Sequence, residues 1–233
     1  MKKYDKDKPL ISIHIPKCAG RSFEKVLEIW FARKLYKHYY NDEINKKPKR
    51  YSLMKFFNPS KFKKGICIHG HFSMIKGIGT RDYYPTVDQF ITIFRDPFET
   101  KVSHYFYCKR LGDSKFISGK KLVMKDQYTD INDYFQKNKG SYILNYMPYD
   151  INMGNYKDII DKYFVYIGIA EDLQTSINIL ADKLGFPSVK VDQLNKSIKD
   201  EEVSEKVRED YINDNDLEYE IYNYVKANYK IWC

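Results

Sequence analysis

Cysteine is scarce in this chain. Its 233 residues hold four, Cys18, Cys67, Cys108 and Cys233, scattered with no CxxC pair. That excludes a disulfide framework and a zinc ribbon, and reduced thiols are the expectation. Long apolar runs are missing as well: nothing approaches the roughly 20 residues a membrane-spanning helix requires. The N-terminal MKKYDKDKP is charged and lacks the apolar core of a secretory signal, so the expected location is the cytoplasm. There are no internal repeats and no low-complexity linker, and the length suits one full core, so 1–233 is read as a single domain. The sequence GxxxxGK[ST] does not occur, which removes the main mark of a P-loop kinase or nucleoside triphosphatase. Acidic residues are sparse at one end: 1–64 hold 18 Lys/Arg against 6 Asp/Glu, while 65–233 hold 22 against 25.

The net charge of +9 therefore belongs to the N-terminal part. Such a field attracts polyanions: nucleic acid, an acidic glycan or a highly phosphorylated nucleotide. Part of it, KKPKR at 46–50 and KFKK at 61–64, reads as solvated loop. No nucleic-acid-binding motif accompanies the charge and the aromatics are spread throughout, so a nucleic-acid partner is not expected.

Four β-branched or aromatic apolar segments read as strands: 10–15 (LISIHI), 66–71 (ICIHGH), 89–94 (QFITIF) and 163–169 (YFVYIGI). Helical patterns separate most of them. Phe23, Val26, Leu27, Trp30 and Phe31 form one apolar face of a helix near 21–36. Asp96 as N-cap and Pro97 at the first helical position start another that runs to about Leu111. Leu173, Ile177, Leu180 and Leu184 share a face of a third, stopped by Gly185 with Pro187 beyond. The polar segment 112–150, with a short helix from near Asp130, reads as an excursion that shapes an acceptor site. One or two amphipathic helices close the chain over 199–229. Strands alternating with helices predict an α/β fold with a central parallel sheet flanked by helices, whose ligands bind beyond the carboxyl ends of the strands.

Three constellations carry chemistry. In HIPKCAGRSF the first strand stops at a turn with Lys17 and Gly20 and opens directly into a helix. The first backbone N–H groups of that helix lack intrahelical partners and the dipole favours an anion, so the loop suits a phosphate. Ser22 can cap the helix or reach a phosphate oxygen. In FRDPFETKVSHY, Arg95 stands at the carboxyl end of the third strand and Ser103 two turns along the next helix, a fork of donors and a hydroxyl for a second phosphate. Together the two elements suit a nucleotide with two separated phosphate groups. The third is His69 and His71, two apart on a strand and hence facing the same way with Cys67. They read as part of a metal site, as a hydrogen-bonded core pair, or as a general base; no fourth metal ligand is evident. His14, at the end of the first strand, reads as structural.

These motifs resemble the sulfotransferases that use 3′-phosphoadenosine 5′-phosphosulfate (PAPS), particularly the carbohydrate branch that includes heparan sulfate 2-O-sulfotransferase and its bacterial relatives. HIPKCAGRSF is similar to that family's 5′-phosphosulfate loop and FRDPFETKVSHY to its 3′-phosphate element. IHGHF (68–72), YIGIAEDLQTSINIL (166–180), QLNKS (193–197) and the NDNDLEYEIYNYV end extend the likeness over nearly the whole chain. The resemblance implies the P-loop-like sulfotransferase fold and a sulfuryl transfer from PAPS, leaving adenosine 3′,5′-bisphosphate (PAP), without a metal. It implies that Lys17, Cys18, Ala19, Gly20, Arg21, Ser22 and Phe23 hold the phosphosulfate, and that Arg95 and Ser103 hold the 3′-phosphate. Asn195, Lys196 and Ser197 would lie near the nucleotide. His71 would take the proton of a hydroxyl acceptor, a glycan before a phenol or tyrosine, with His69 assisting. Two positions depart from the family pattern: Arg21 stands where Thr is usual, and Thr100 where Arg is usual.

Overall fold

In the computed structural model, five strands form one parallel sheet: β1 (Leu10–Ile13), β2 (Leu35–His38), β3 (Cys67–Gly70), β4 (Phe90–Phe94) and β7 (Phe164–Ile169), in the order β2-β3-β1-β4-β7. Residues 1–51, 65–111, 115–117, 120–122, 127–191 and 200–232 are described. Every residue of β1, β3, β4 and β7 is buried. Since successive side chains point to opposite faces, both faces of the sheet are covered, as parallel sheets require. A smaller antiparallel pair, β5 (Lys115–Ile117) and β6 (Lys120–Leu122), lies inside the polar excursion.

The helices α1 (Gly20–Phe31), α2 (Thr80–Tyr83), α3 (Pro97–Leu111), α4 (Ile131–Lys137), α5 (Tyr156–Tyr163), α6 (Leu173–Leu184), α7 (Glu205–Asp214) and α8 (Asp216–Asn228) fill the connections. Helix α1 buries Phe23, Val26, Leu27, Trp30 and Phe31, each worth about 1.5–3 kcal/mol when fully removed from water. The start of α3 is capped as its sequence predicts, with the Glu99 N–H donating to Asp96 Oδ1 at 3.0 Å. Asp130 caps α4 in the same way through Asp133 N–H at 2.9 Å, and Gly185 ends α6 in the left-handed region at φ 72°. Helix α3 packs Phe98, Val102, Tyr105, Phe106 and Cys108 with residues of α4 and α7 in a second apolar cluster.

One expected element is replaced. The helix predicted near 21–36 ends at Phe31, and Leu35–His38 is strand β2 at the sheet edge, parallel to β3. The helical apolar spacing stops at Phe31, and Ala32 turns the chain at φ 46°. The first and second strands are also shorter than predicted, ending at Ile13 and Gly70. His14 and His71 thus leave the regular strands while keeping a sheet hydrogen bond: His14 N–H donates to Gly70 O at 2.8 Å and His71 N–H to His38 O at 3.0 Å.

β1 is central to the order. The chain leaves it for β2 on one side and later returns to β4 on the other, which makes its carboxyl end a switch point, where open α/β sheets bind ligands. Among the described residues no helix is long and apolar enough to cross a membrane.

Candidate active site

The residues just past the carboxyl ends of all five strands come together. His14 follows β1, Tyr39 follows β2, His71 follows β3, Arg95 follows β4, and Ala170 and Glu171 follow β7. All line one cleft of about 560 Å³, with Pro16, Lys17, Ala19, Gly20, Arg21, Ser22 and Glu24 from the loop and α1, and Ser103, Tyr107 and Arg110 from α3. Four cations, Lys17, Arg21, Arg95 and Arg110, face two carboxylates, Glu24 and Glu171, so the lining favours an anion.

The loop before α1 is bent sharply. Lys17 and Ala19 both have positive φ, 68° and 56°, conformations that cost of order 1 kcal/mol or more apiece for residues with a Cβ. The bend turns the start of α1 into the cleft; Ala19 O accepts the Phe23 N–H at 3.0 Å. Cys18 and Phe23 turn away. The Cys18 side chain is buried and its Sγ lies 3.6 Å from Thr100 Oγ1, which ties the loop to α3. Burial pushes the Cys18 thiol up to about 12. Phe23 is in the core, edge-on to His69. Neither side chain lines the cleft.

Lys17 Nζ sits 4.3 Å from the ring centre of Tyr107, and Arg95 Nη1 donates to Lys17 O at 3.3 Å. Burial first, then the charges of Arg110, Arg95 and Arg21, lower the Lys17 ammonium to about 8. Desolvation and like charge both disfavour the cation, and a bound anion would relieve the second.

Three histidines share one face of the sheet. Ser12 pairs with His69 across β1 and β3, and His14 and His71 each lie two residues further on. The His14 ring stacks on His71 at 4.3 Å and on His69 at 5.2 Å between centroids. His69 is fully buried with Nδ1 2.9 Å from Ser12 Oγ. His71 faces the cleft. Burial, the largest cause in each case, lowers His14, takes His69 to about 3 and His71 to about 4, so all three are neutral at neutral pH. Tyr39 Oη donates to Glu24 Oε2 at 3.1 Å, a carboxylate oxygen that only accepts. The Tyr39 oxygen then accepts from His14 Nδ1–H at 2.9 Å, which leaves His14 Nε2 bare beside Gly20.

Among the sequence-derived candidates, the structure brings Lys17, Ala19, Gly20, Arg21, Ser22, Arg95, Ser103 and His71 to the cleft and holds His69 beneath it. Asn195, Lys196 and Ser197 lie outside the described residues. His14, expected as a structural residue, lines the cleft. Tyr39, Glu24, Tyr107 and Arg110 were not expected. The last two repeat Ser103 at helical spacing, i+4 and i+7, a signal present in the sequence; Tyr39 was missed because no strand was expected after the helix predicted near 21–36.

No protein-family model matches the chain, and no curated protein matches it. Among solved structures, the crystal structure of mouse sulfotransferase SULT7A1 complexed with PAP aligns at a TM-score of 0.40 and 14% identity, over 80% of this chain and 61% of that one. The chain thus spans less than two thirds of that protein's length. A likeness this distant establishes neither a shared activity nor a shared ligand.

Proposed function

We propose that the chain is a PAPS-dependent sulfotransferase that moves a sulfuryl group to a hydroxyl acceptor, a glycan first. The observation that carries this reading is the convergence, on one cleft, of a strained cationic loop at a helix N-terminus, a second cationic element on α3, and the neutral His71. A nucleotide with two separated phosphate groups fits that charge distribution. The N-terminus of α1 with Lys17, Arg21 and Ser22 would hold the phosphosulfate, and Arg95, Ser103 and Arg110 the 3′-phosphate.

PAPS supplies an activated sulfuryl group with a phosphate as leaving group. The acceptor oxygen forms the new S–O bond while the bridging S–O bond breaks, and the electron pair of the broken bond stays on the 5′-phosphate of PAP. Lys17 and the N–H groups of α1 would stabilise that charge, preorganised in a partly water-excluded cleft. His71, neutral at physiological pH, takes the acceptor's proton. His14 holds its ring by stacking and is itself stacked on His69; both are positioning residues in this scheme.

Labelled PAPS offered with a panel of glycans and phenols tests the reading. Transfer to a glycan is expected, reduced by at least about 100-fold in both Lys17→Ala and His71→Ala, the scale of a lost acid–base or charge-stabilising group. Transfer to phenols alone would remove the glycan, full turnover in His71→Ala would remove the base, and no transfer to any hydroxyl would overturn the assignment.

A further inference from the structure

The metal ligands that could not be found around Cys67, His69 and His71 in the sequence are supplied from other elements. A ring nitrogen of His14, a carboxylate oxygen of Glu24 and a ring nitrogen of His69 lie within 4.8 Å of one another. His69 is 0% exposed, and its Nε2 is buried with no hydrogen-bond partner among the described residues. Glu24 Oε2 lies 3.9 Å from it, beyond hydrogen-bonding distance. An unmatched buried ring nitrogen costs about 1–3 kcal/mol, and this one is aimed at a carboxylate.

The geometry points to a binding site for a divalent transition-metal ion, zinc by ligand type, held by His14, Glu24 and His69. Two imidazoles and a carboxylate are a donor set zinc accepts, with bonds of about 2.1 Å that put tetrahedral ligands about 3.4 Å apart. The Glu24–His69 pair, at 3.9 Å, closes to that spacing by small side-chain rotations. The surrounding groups orient the ligands as outer partners do in metal sites. Ser12 Oγ holds the far nitrogen of His69, and the Tyr39 hydroxyl touches both His14 and Glu24. Lys37 pairs with Glu24 Oε1 and the Tyr39 hydroxyl donates to Oε2, which keeps a lone pair for the metal. His14 and Glu24 line the cleft, so the fourth position opens into it and takes water or a ligand atom. Cys67 has no part in the group.

Cobalt(II) titration of the full chain, stripped of metal with a chelator, tests the site. One equivalent should bind with the intense visible absorption of a low-coordinate ion, and zinc should displace it. Glu24→Gln, close to isosteric, should weaken binding at least about tenfold, and His14→Ala likewise, with melting curves recorded without metal to establish that each variant folds. Cys67→Ala should bind as the parent does. No bound metal, unchanged affinity in Glu24→Gln, or loss of binding in a folded Cys67→Ala would each overturn the site. Sulfuryl transfer assayed in the chelated protein reports on the proposed activity separately.

Discussion

A methyl group built on Gly20 would lie 1.7 Å from His14 Nε2 and 2.1 Å from Cδ2, where ordinary contacts begin at 3.4 Å. Gly20→Ala must therefore drive the His14 ring away by roughly the missing distance. That breaks the 2.9 Å bond to Tyr39, about 0.5–1.5 kcal/mol, and the stack on His71, a similar amount. Against this, Gly20 is the first residue of α1 and lacks a positive φ, and alanine is favoured over glycine in helices by about 0.5–1 kcal/mol. The net cost to folding is about 1 kcal/mol, a fall of roughly 2–4 °C in Tm for a chain of this size. The cost to function is larger, because the displaced imidazole enters the cleft beside the Lys17 loop: PAP affinity should fall at least about tenfold, or 1.4 kcal/mol. Gly70→Ala provides the contrast. Its Cβ would lie 1.9 Å from the backbone oxygen of His38, which cannot swing aside without parting β2 from β3. A loss of about 3 kcal/mol or more is expected. Thermal melting together with calorimetric titration of PAP separates the two. If Gly20→Ala bound PAP with parent affinity, or lost as much stability as Gly70→Ala, the reasoning from close approach would be refuted.

The lowered Lys17 pKa makes PAP affinity pH-dependent in a definite sense: the ammonium is lost as pH rises through about 8, so affinity should decline there and the decline should vanish in Lys17→Ala, as calorimetry at several pH values can read. Arg110 is exposed and lines the cleft; Arg110→Ala should weaken PAP by a few-fold, about 1 kcal/mol, with the effect shrinking at high salt. Glu218 is buried and accepts the Tyr142 N–H at 2.9 Å, the Ile143 N–H, and Tyr211 Oη–H at 3.4 Å. Glu218→Ala leaves those donors unmatched and should cost about 3 kcal/mol in chemical denaturation; a loss below about 1 kcal/mol would mean that water replaces the carboxylate.

The parallel strands were legible because each is a short apolar run, and the capped helices because Asp96, Pro97, Asp130 and Gly185 are local signals. The Lys17 loop and Arg95 could be placed for the same reason: both lie at a strand end visible in the sequence. What was not legible depends on register. Period two puts His69 and His71 on one face, but only the pairing of Ser12 with His69 brings His14 between their rings. Strand β2 escaped because it is a partly exposed edge of only four residues, LYKH, with one apolar aliphatic side chain and no alternating pattern to mark it. Tyr39, at its end, escaped with it. Cys18 and Phe23 illustrate a further limit: a motif places backbone at a site without saying which side chains turn into the core.

The most direct measurement is calorimetric titration with PAP, compared with ATP plus Mg²⁺. PAP should bind and raise Tm, Lys17→Ala and Arg95→Ala should each remove most of the affinity, and ATP with Mg²⁺ should bind weakly at most. Tight binding of ATP with Mg²⁺ and none of PAP would contradict a cleft built for two separated phosphate groups.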